Sequence, residues 1–150
     1  MKTFPRLADV EGLVGKELGT SEWLTIDQPR IATFADATDD HQWIHLDAER
    51  AAAGPFGTTI AHGFLTLSLL PRMLWTTFAI ADVRMAINYG LGKVRFPAPV
   101  KSGSRVRAHM TLKRFEVIEG GAQLTLDVSV ECEGTSKPVC VAESLLRFYL

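Results

Sequence analysis

The segment 61–80 predicts a long helix that is apolar nearly all round. Its large apolar side chains are Phe64, Leu65, Leu67, Leu69, Leu70, Met73, Leu74 and Trp75. A helix of this kind has no side for solvent and must be covered, either by protein or by lipid. Pro71 and Arg72 stand at its middle, where the proline predicts a kink and an arginine in a bilayer would cost about 2.5–3.5 kcal/mol. We therefore expect a helix buried in a protein core rather than a membrane span.

Four stretches of alternating apolar and polar residues follow this helix and predict strands. They cover residues 85–96, 106–112, 124–132 and 139–149, with hairpin turns predicted at Gly120-Gly121 and over residues 134–138. The alternation changes phase past Gly90 and Gly92, which indicates a bulge. One apolar helix followed by a long antiparallel sheet predicts an α+β fold in which a curved sheet wraps around the helix. At 150 residues, we expect one domain spanning residues 1–150.

The first third of the chain predicts smaller elements. Residues 7–14 have helical spacing, and residues 18–26 have the pattern of a strand. Asp27 is a typical N-cap for a helix that ends near Asp39, and a short helix is predicted over residues 48–53. Several short elements are thus expected to precede the apolar helix.

The overall charge and the cysteine content argue against several classes of protein. The formal net charge is −1, so no basic excess indicates a nucleic acid or an anionic membrane as partner. Cys132 and Cys140 are too few for a disulfide scaffold. They could face each other across the 134–138 turn, but two free, half-buried thiols are the simpler interpretation. No apolar stretch follows the charged N-terminus, so we expect no signal peptide and a cytoplasmic protein.

Acidic residues and an imidazole cluster where the Asp27 helix is predicted to end. Asp36, Asp39 and Asp40 crowd its last turn, although that end of a helix carries a partial negative charge that disfavours carboxylates. A segment that repeatedly breaks a local rule is a candidate functional site, and a solvated turn rich in Asp is the alternative. His45 follows in an apolar setting. It is either a hydrogen-bonded core residue or, paired with Asp40 in one cleft, an acid–base catalyst.

Gly63 stands where the apolar helix is predicted to begin. The first N–H groups of a helix have no internal partner, and a Gly there lets a substrate carbonyl approach the backbone as in an oxyanion site. A Gly required for tight packing of the helix against the sheet is the alternative. Just upstream, the loop 54–57, which contains Phe56, could shape the mouth of a cleft.

A metal site is the competing interpretation of the histidines. His41 and His45 are four residues apart, the spacing of the histidine pair on the helix of a zinc protease. Gln42, however, stands where that motif needs a Glu as general base, and only His62 offers a third ligand. We therefore expect no metal.

Two segments resemble the MaoC-like family of (R)-specific enoyl-CoA hydratases. Residues 37–45 resemble its hydratase motif, which runs small residue, Gly, Asp, any residue, Asn, Pro, aliphatic residue, His. Residues 56–65 resemble the start of its central helix, and the likeness covers nearly the whole chain. It is greatest to the short members that have a single hot-dog domain. The resemblance implies a hot-dog fold and a homodimer with its active site near the subunit interface.

The resemblance also implies roles for individual residues. The catalytic pair falls on Asp40 and His45, and the backbone N–H that binds the thioester oxygen falls on Gly63. Four neighbouring side chains are candidate substrate-binding residues, namely Gln42, Trp43, Phe56 and His62.

Three positions depart from the family motif. Asp39 replaces Gly, and Gln42 and Trp43 replace Asn and Pro. If the Gly serves a positive φ, an Asp tolerates that backbone better than most residues.

The expected reaction is the addition of water to a trans-2-enoyl-CoA to give (R)-3-hydroxyacyl-CoA, or the reverse dehydration. Asp40 and His45 would hold one water, one residue taking its proton as the oxygen attacks C3 and the other delivering a proton to C2. No cofactor is expected, because the thioester itself polarises the double bond. Two alternatives keep the fold: an acyl-CoA thioesterase in which Asp40 activates water, and a module that binds acyl-CoA without turnover.

Overall fold

A six-stranded antiparallel sheet curves around a helix that is broken in two, in a computed structural model that describes residues 1–150. The strands are β1 (Lys2–Phe4), β2 (Glu17–Thr20), β3 (Leu24–Ile26), β4 (Phe78–Ile80), β5 (Met85–Arg95), β6 (Ser104–Ile118), β7 (Gly121–Cys132) and β8 (Cys140–Tyr149). The helices are α1 (Gln28–Thr38), α2 (Trp43–Leu46), α3 (Ala48–Ala52), α4 (Gly63–Ser68) and α5 (Leu70–Thr77), and a 3-10 helix covers Leu7–Leu13. The α+β hot-dog architecture expected from the sequence is confirmed.

The large sheet has the strand order β2–β6–β7–β8–β5, with β3 also paired to β6. The hairpin of β6 and β7 is paired from Val106 opposite Cys132 to Ile118 opposite Gly121. Gly120 and Gly134, in the two turns that follow β6 and β7, have φ of 75° and 77°. Gly adopts this left-handed backbone without strain, as tight turns require. Both predicted hairpins are confirmed.

The predicted apolar helix is in fact two helices, α4 and α5, separated at Leu69. Pro71 has no N–H to donate to the carbonyl four residues earlier, so the helical ladder is interrupted and the predicted kink is confirmed. The prediction that the helix is covered on all sides was wrong, because Phe64 is 70% and Trp75 55% exposed. The helix also ends earlier than predicted, since the chain past Thr77 extends into β4, which pairs in parallel with β1.

The single strand predicted over residues 18–26 is two strands, β2 and β3. Ser21 lies between them, and its N–H donates to the Ala108 carbonyl at 2.8 Å while its hydroxyl accepts the Ala108 N–H at 2.9 Å. This exchange lets the chain bend while both strands stay paired with β6. The helix predicted over residues 7–14 is present as the 3-10 helix.

Aspartates cap the helices that lead to the site. The Asp27 carboxylate accepts the N–H of Arg30 at 3.0 Å, which confirms the predicted N-cap of α1. Asp39 ends α1 in a left-handed conformation. Asp47 caps α3 by accepting the N–H of Arg50 at 2.9 Å. Among the helices, only the four-residue α2 was not predicted.

Thirty buried apolar side chains form one cluster, made mainly by the inner face of the sheet and the central helices. Cys132 and Cys140 belong to this cluster and are free, and they are fully buried rather than half-buried as expected. Burial raises the pKa of Cys140 to about 11, so its thiol stays protonated near neutral pH. None of the helices combines the length and the apolar character needed to cross a membrane.

Strand β5 is an edge strand that pairs only with β8. Its register shifts between Asn88 and Gly90 and again between Leu91 and Val94, which confirms the predicted bulge. Large apolar side chains remain exposed on β5 and on the elements beside it: Phe64, Trp75, Met85, Ile87, Tyr89, Leu91 and Phe96. The chain thus leaves an unpaired strand edge next to uncovered apolar surface.

Candidate active site

The turn at Asp39 sets the direction in which the acidic segment leaves α1. Asp39 is the one non-glycine residue with a positive φ, 58°. Left-handed backbone usually falls to Gly, because a Cβ crowds the following carbonyl oxygen. Asp tolerates it better than most residues. The motif that residues 37–45 resemble has Gly here, so the turn keeps its conformation although the residue differs.

Two substitutions at Asp39 separate backbone strain from charge. Asp39→Gly and Asp39→Ala both remove the carboxylate, but only Gly adopts this backbone freely. We expect the free energy of unfolding of the Ala variant to be lower than that of the Gly variant by about 1 kcal/mol. Urea unfolding followed by circular dichroism measures the difference. Equal stabilities would contradict a left-handed turn at this residue.

Asp40 lies in the loop between α1 and α2, with its side chain 53% exposed. Its Oδ1 accepts the N–H of Gln42 at 3.4 Å, a long bond, and its backbone carbonyl accepts from Nε2 of His62 at 2.9 Å. The carboxylate therefore keeps free acceptor positions for a further hydrogen bond.

His45 is buried in α2 with one ring nitrogen engaged. Its Nδ1 lies 2.7 Å from the Ile60 carbonyl oxygen. A carbonyl only accepts, so Nδ1 carries the hydrogen, and Nε2 of the neutral ring keeps a lone pair. Burial lowers the pKa of His45 and the neighbouring His62 adds to this, against opposing effects of the Ile60 carbonyl and Asp40. The ring is thus neutral near pH 7, the state that a general base requires.

The backbone around His45 is tied to two other segments. Gln28, the first residue of α1, donates from Nε2 to the His45 carbonyl at 2.7 Å and accepts the Thr59 hydroxyl at its Oε1 at 2.6 Å. The Ile60 N–H donates to the Ile44 carbonyl at 3.0 Å. Gln28 and Thr59 could not be identified from the sequence, because nothing in a single Gln or Thr signals a partner far along the chain.

The structure brings Asp40, His45 and His62 together. One carboxylate oxygen and one nitrogen from each ring all lie within 4.8 Å of one another. A water that makes two hydrogen bonds of about 2.8 Å spans about 4.5 Å between its partners. An Asp40 oxygen and a His45 nitrogen that lie within 4.8 Å of each other can therefore share a single bridging water.

Gly63 is the first residue of α4, and its N–H makes no hydrogen bond within the chain. A Cβ at this position would lie 2.9–3.1 Å from ring atoms of Phe96, closer than side chains normally pack. Both interpretations of this Gly from the sequence therefore fit the structure. It offers a free donor, and it allows close packing.

Two pockets flank α4. One has a volume of about 370 Å³, and its lining includes His45, Phe56, Gly63, Thr66 and Phe96. The other has a volume of about 660 Å³ and lies between α1, α4 and β5, with Phe34, Phe64, Leu67 and Leu91 in its lining. The first pocket is therefore lined by both His45 and Gly63, with Phe56 in its wall.

Gln42 and Trp43 support the site rather than line these pockets. The Gln42 carbonyl accepts the N–H of His45 at 3.0 Å. The Trp43 ring packs against Gly54, and the guanidinium of Arg50 lies 4.3 Å from its ring centre. Both residues therefore position α2 and the loop after α3.

A metal site would need a different ligand set from the one considered in the sequence. His41 precedes α2 and pairs with Asp36 at the surface, Nε2 to Oδ1 2.9 Å, a contact that raises the pKa of His41. Asp40, His45 and His62 are the three side chains that come together. The rings of His45 and His62 are stacked, with centroids 3.7 Å apart and planes 23° apart. The lone pair of an imidazole nitrogen lies in the plane of its ring. Two stacked rings therefore do not direct their lone pairs at one ion, as tetrahedral coordination requires.

We expect no stoichiometric metal in the purified protein. Elemental analysis by mass spectrometry, after growth in medium supplemented with zinc and iron, measures the metal content. Treatment with a chelator should leave the activity unchanged. One equivalent of bound ion, removed together with activity by the chelator, would establish a metal site at these residues.

The chain is similar to known proteins along nearly its whole length. Residues 9–134 match the model of the MaoC like domain. 3-Hydroxyacyl-thioester dehydratase Z of Mycobacterium tuberculosis is 56% identical over 149 residues, 99% of each chain. Nodulation protein N of Rhizobium leguminosarum is 51% identical over 140 residues, 91% of this chain and 86% of that protein.

A solved structure shares the fold at low sequence identity. The (R)-hydratase of A. caviae involved in PHA biosynthesis has a TM-score of 0.72 and 24% identity, over 89% of this chain and 94% of that chain. The family match and the near-complete overlap with the mycobacterial dehydratase decide the assignment. The chain therefore belongs to the MaoC-like dehydratase family, a family of hydro-lyases.

Proposed function

We propose that the protein is an (R)-specific hydratase that adds water to trans-2-enoyl-CoA, or removes it from (R)-3-hydroxyacyl-CoA. The observation that carries this proposal is that an Asp40 oxygen and a His45 nitrogen lie within 4.8 Å, close enough to share one water, while His45 and Gly63, whose N–H is free, line one pocket. The names of a dehydratase acting on 3-hydroxyacyl thioesters and of an (R)-hydratase support the same class of reaction. Two free, buried thiols accord with a cytoplasmic enzyme.

In the proposed mechanism, His45 is the proton acceptor. Its Nε2 lone pair is free, so it takes one proton of the bridging water as the water oxygen attacks C3. The Asp40 carboxylate accepts a hydrogen bond from the remaining O–H and stabilises the imidazolium that forms. The imidazolium then returns its proton to C2 on the same face. Hydroxyl has then added to C3 and hydrogen to C2, and the enzyme is unchanged.

The Gly63 N–H is proposed to bind the thioester oxygen. Negative charge develops on this oxygen as water adds to C3, and a fixed backbone donor stabilises that charge. Since His45 and Gly63 line the same pocket, the thioester end of the acyl-CoA is placed there. No cofactor takes part in this scheme.

Crotonyl-CoA distinguishes this function from its two alternatives. Hydration removes the enoyl absorbance without releasing thiol, and chiral analysis of the product is expected to give the (R)-3-hydroxy compound. Free thiol with a hydrolysed acyl group would instead establish a thioesterase. Tight binding of acyl-CoA with neither signal would establish a non-catalytic binding module.

We further propose a homodimer formed along β5. The strand is unpaired on its outer edge, and Tyr89 and Leu91 are 53% and 48% exposed. Two antiparallel copies of one edge strand pair about a two-fold axis, which satisfies both backbones and buries these side chains. The pocket that Leu91 lines would then lie at the subunit boundary.

Charges placed on β5 are expected to dissociate this dimer. Tyr89→Arg with Leu91→Arg sets like charges against their copies across the two-fold axis, which destabilises the pairing. Light scattering should show the mass fall from two chains to one. Val117 is apolar and 78% exposed on β6, so Val117→Arg is the matched control and should stay dimeric. A dimer that survives both β5 substitutions would place the interface elsewhere.

A further inference from the structure

His62 is a third imidazole that the proposed mechanism does not use. It is 3% exposed and packs between two rings, stacked on His45 and 5.0 Å from Phe34 between centroids. Its Nε2 lies 2.9 Å from the Asp40 carbonyl oxygen, and its Nδ1 is buried without a hydrogen-bond partner. One side chain therefore contacts both members of the proposed catalytic pair.

These contacts determine which ring nitrogen of His62 carries a hydrogen. The Asp40 carbonyl only accepts, so the hydrogen is on Nε2. His62 therefore donates through Nε2, while its buried Nδ1 has no hydrogen-bond partner.

We propose that His62 is a positioning residue that fixes Asp40 and His45 relative to each other, an inference that rests on the proposed hydratase function. Asp40 lies in a loop, and the other hydrogen bond that holds it is the long one from Gln42. The His62 N–H anchors the Asp40 backbone. The flat ring confines the His45 imidazole, whose Nδ1 is held by Ile60. Because a misplacement of about 1 Å costs roughly a hundredfold in rate, a single anchor for both groups matters to catalysis.

Two substitutions each keep one of the two contacts. His62→Phe keeps a stacked ring and loses the donor, whereas His62→Gln keeps an N–H donor and loses the ring. We expect the Phe variant to lose about 10–100-fold in kcat for crotonyl-CoA with KM changed less than about threefold. The Gln variant should recover much of that loss. Wild-type kcat in the Phe variant, or a Gln variant no faster than the Phe variant, would overturn the proposal.

A double-mutant cycle tests whether His62 acts through Asp40. In an Asp40→Asn background, His62→Phe should cost much less than it does in the wild type, because the group that it positions is already disabled. An undiminished cost would show an independent structural role and overturn the proposal.

A measurement without turnover separates this inference from the proposed function. Nitrogen-15 NMR of the imidazoles should show a hydrogen on Nε2 of His62, hydrogen-bonded to a carbonyl. A ring with its only hydrogen on Nδ1 would overturn the positioning contact with Asp40. Absence of hydration by a wild-type protein that shows the expected hydrogen on Nε2 would refute the hydratase function instead.

Discussion

Asp40→Asn and His45→Gln are each expected to lower kcat/KM for crotonyl-CoA hydration by roughly 10²–10⁴-fold, the usual size of the effect of losing a general base or the carboxylate that stabilises its imidazolium. Asn keeps the shape of Asp40 but has no charge to stabilise an imidazolium at His45. Gln fills part of the His45 site and can donate to the Ile60 carbonyl, but it cannot take a proton from water. Initial rates from the loss of enoyl absorbance measure both effects.

The surface pair Asp36 and His41 provides the matched control. These are the same two residue types, hydrogen-bonded at 2.9 Å near the same helix end, but they lie outside the cluster formed by Asp40, His45 and His62. Asp36→Asn and His41→Gln should leave kcat/KM within about twofold of the wild type, since exposed substitutions usually change free energies by about 0.5 kcal/mol or less. Wild-type activity in a folded Asp40 or His45 variant would refute the proposed roles.

Gly63→Pro is expected to lower kcat roughly 10²–10³-fold relative to Gly63→Ala, the usual cost of losing one oxyanion donor. Proline lacks the N–H, yet its fixed φ is accepted at the first position of a helix. His62, which precedes it, has φ −60° and ψ 138°, a backbone that a following proline favours. Both variants add a Cβ against the Phe96 ring. The difference in kcat between them therefore measures the contribution of the Gly63 N–H.

The difference in kcat between the Gly63→Ala variant and the wild type measures the effect of close packing at Gly63. Its Cβ forces the Phe96 ring to move, and this ring is 39% exposed and has room to turn outward. Phe96→Leu in the Ala background should therefore recover part of any lost activity. Equal kcat in the Pro and Ala variants would show that the Gly63 N–H does not bind the thioester oxygen.

Features that depend on neighbouring residues in the chain could be predicted from the sequence. Asp27 caps α1 by a bond to a residue three positions on, Pro71 interrupts its own helix, and Gly120 turns its own hairpin. The positive φ of Asp39 was expected only on the condition that the Gly of the family motif serves such a backbone. Such local rules account for most elements of the fold.

Features that depend on distant residues could not be predicted in the same way. Phe64 and Trp75 are as apolar as the buried residues of their helices, so composition does not tell which side of a helix stays uncovered. The contact of His62 with Asp40 joins residues 22 apart, and that of Gln28 with Thr59 joins residues 31 apart. The family motif indicated Asp40 and His45, whereas the residues that hold them in place can be identified only from the tertiary structure.

Helix α1 touches the proposed site at both of its ends. Its first residue, Gln28, holds the His45 backbone, and its last turn leads through Asp39 to Asp40. Its 11 residues separate the two contacts by about 16 Å along the helix axis. Deleting or inserting one residue would shift one end by about 1.5 Å and rotate it by about 100°. We therefore expect α1 to accept many replacements on its exposed side but no change in length, because its residue count sets the distance between Asp40 and His45.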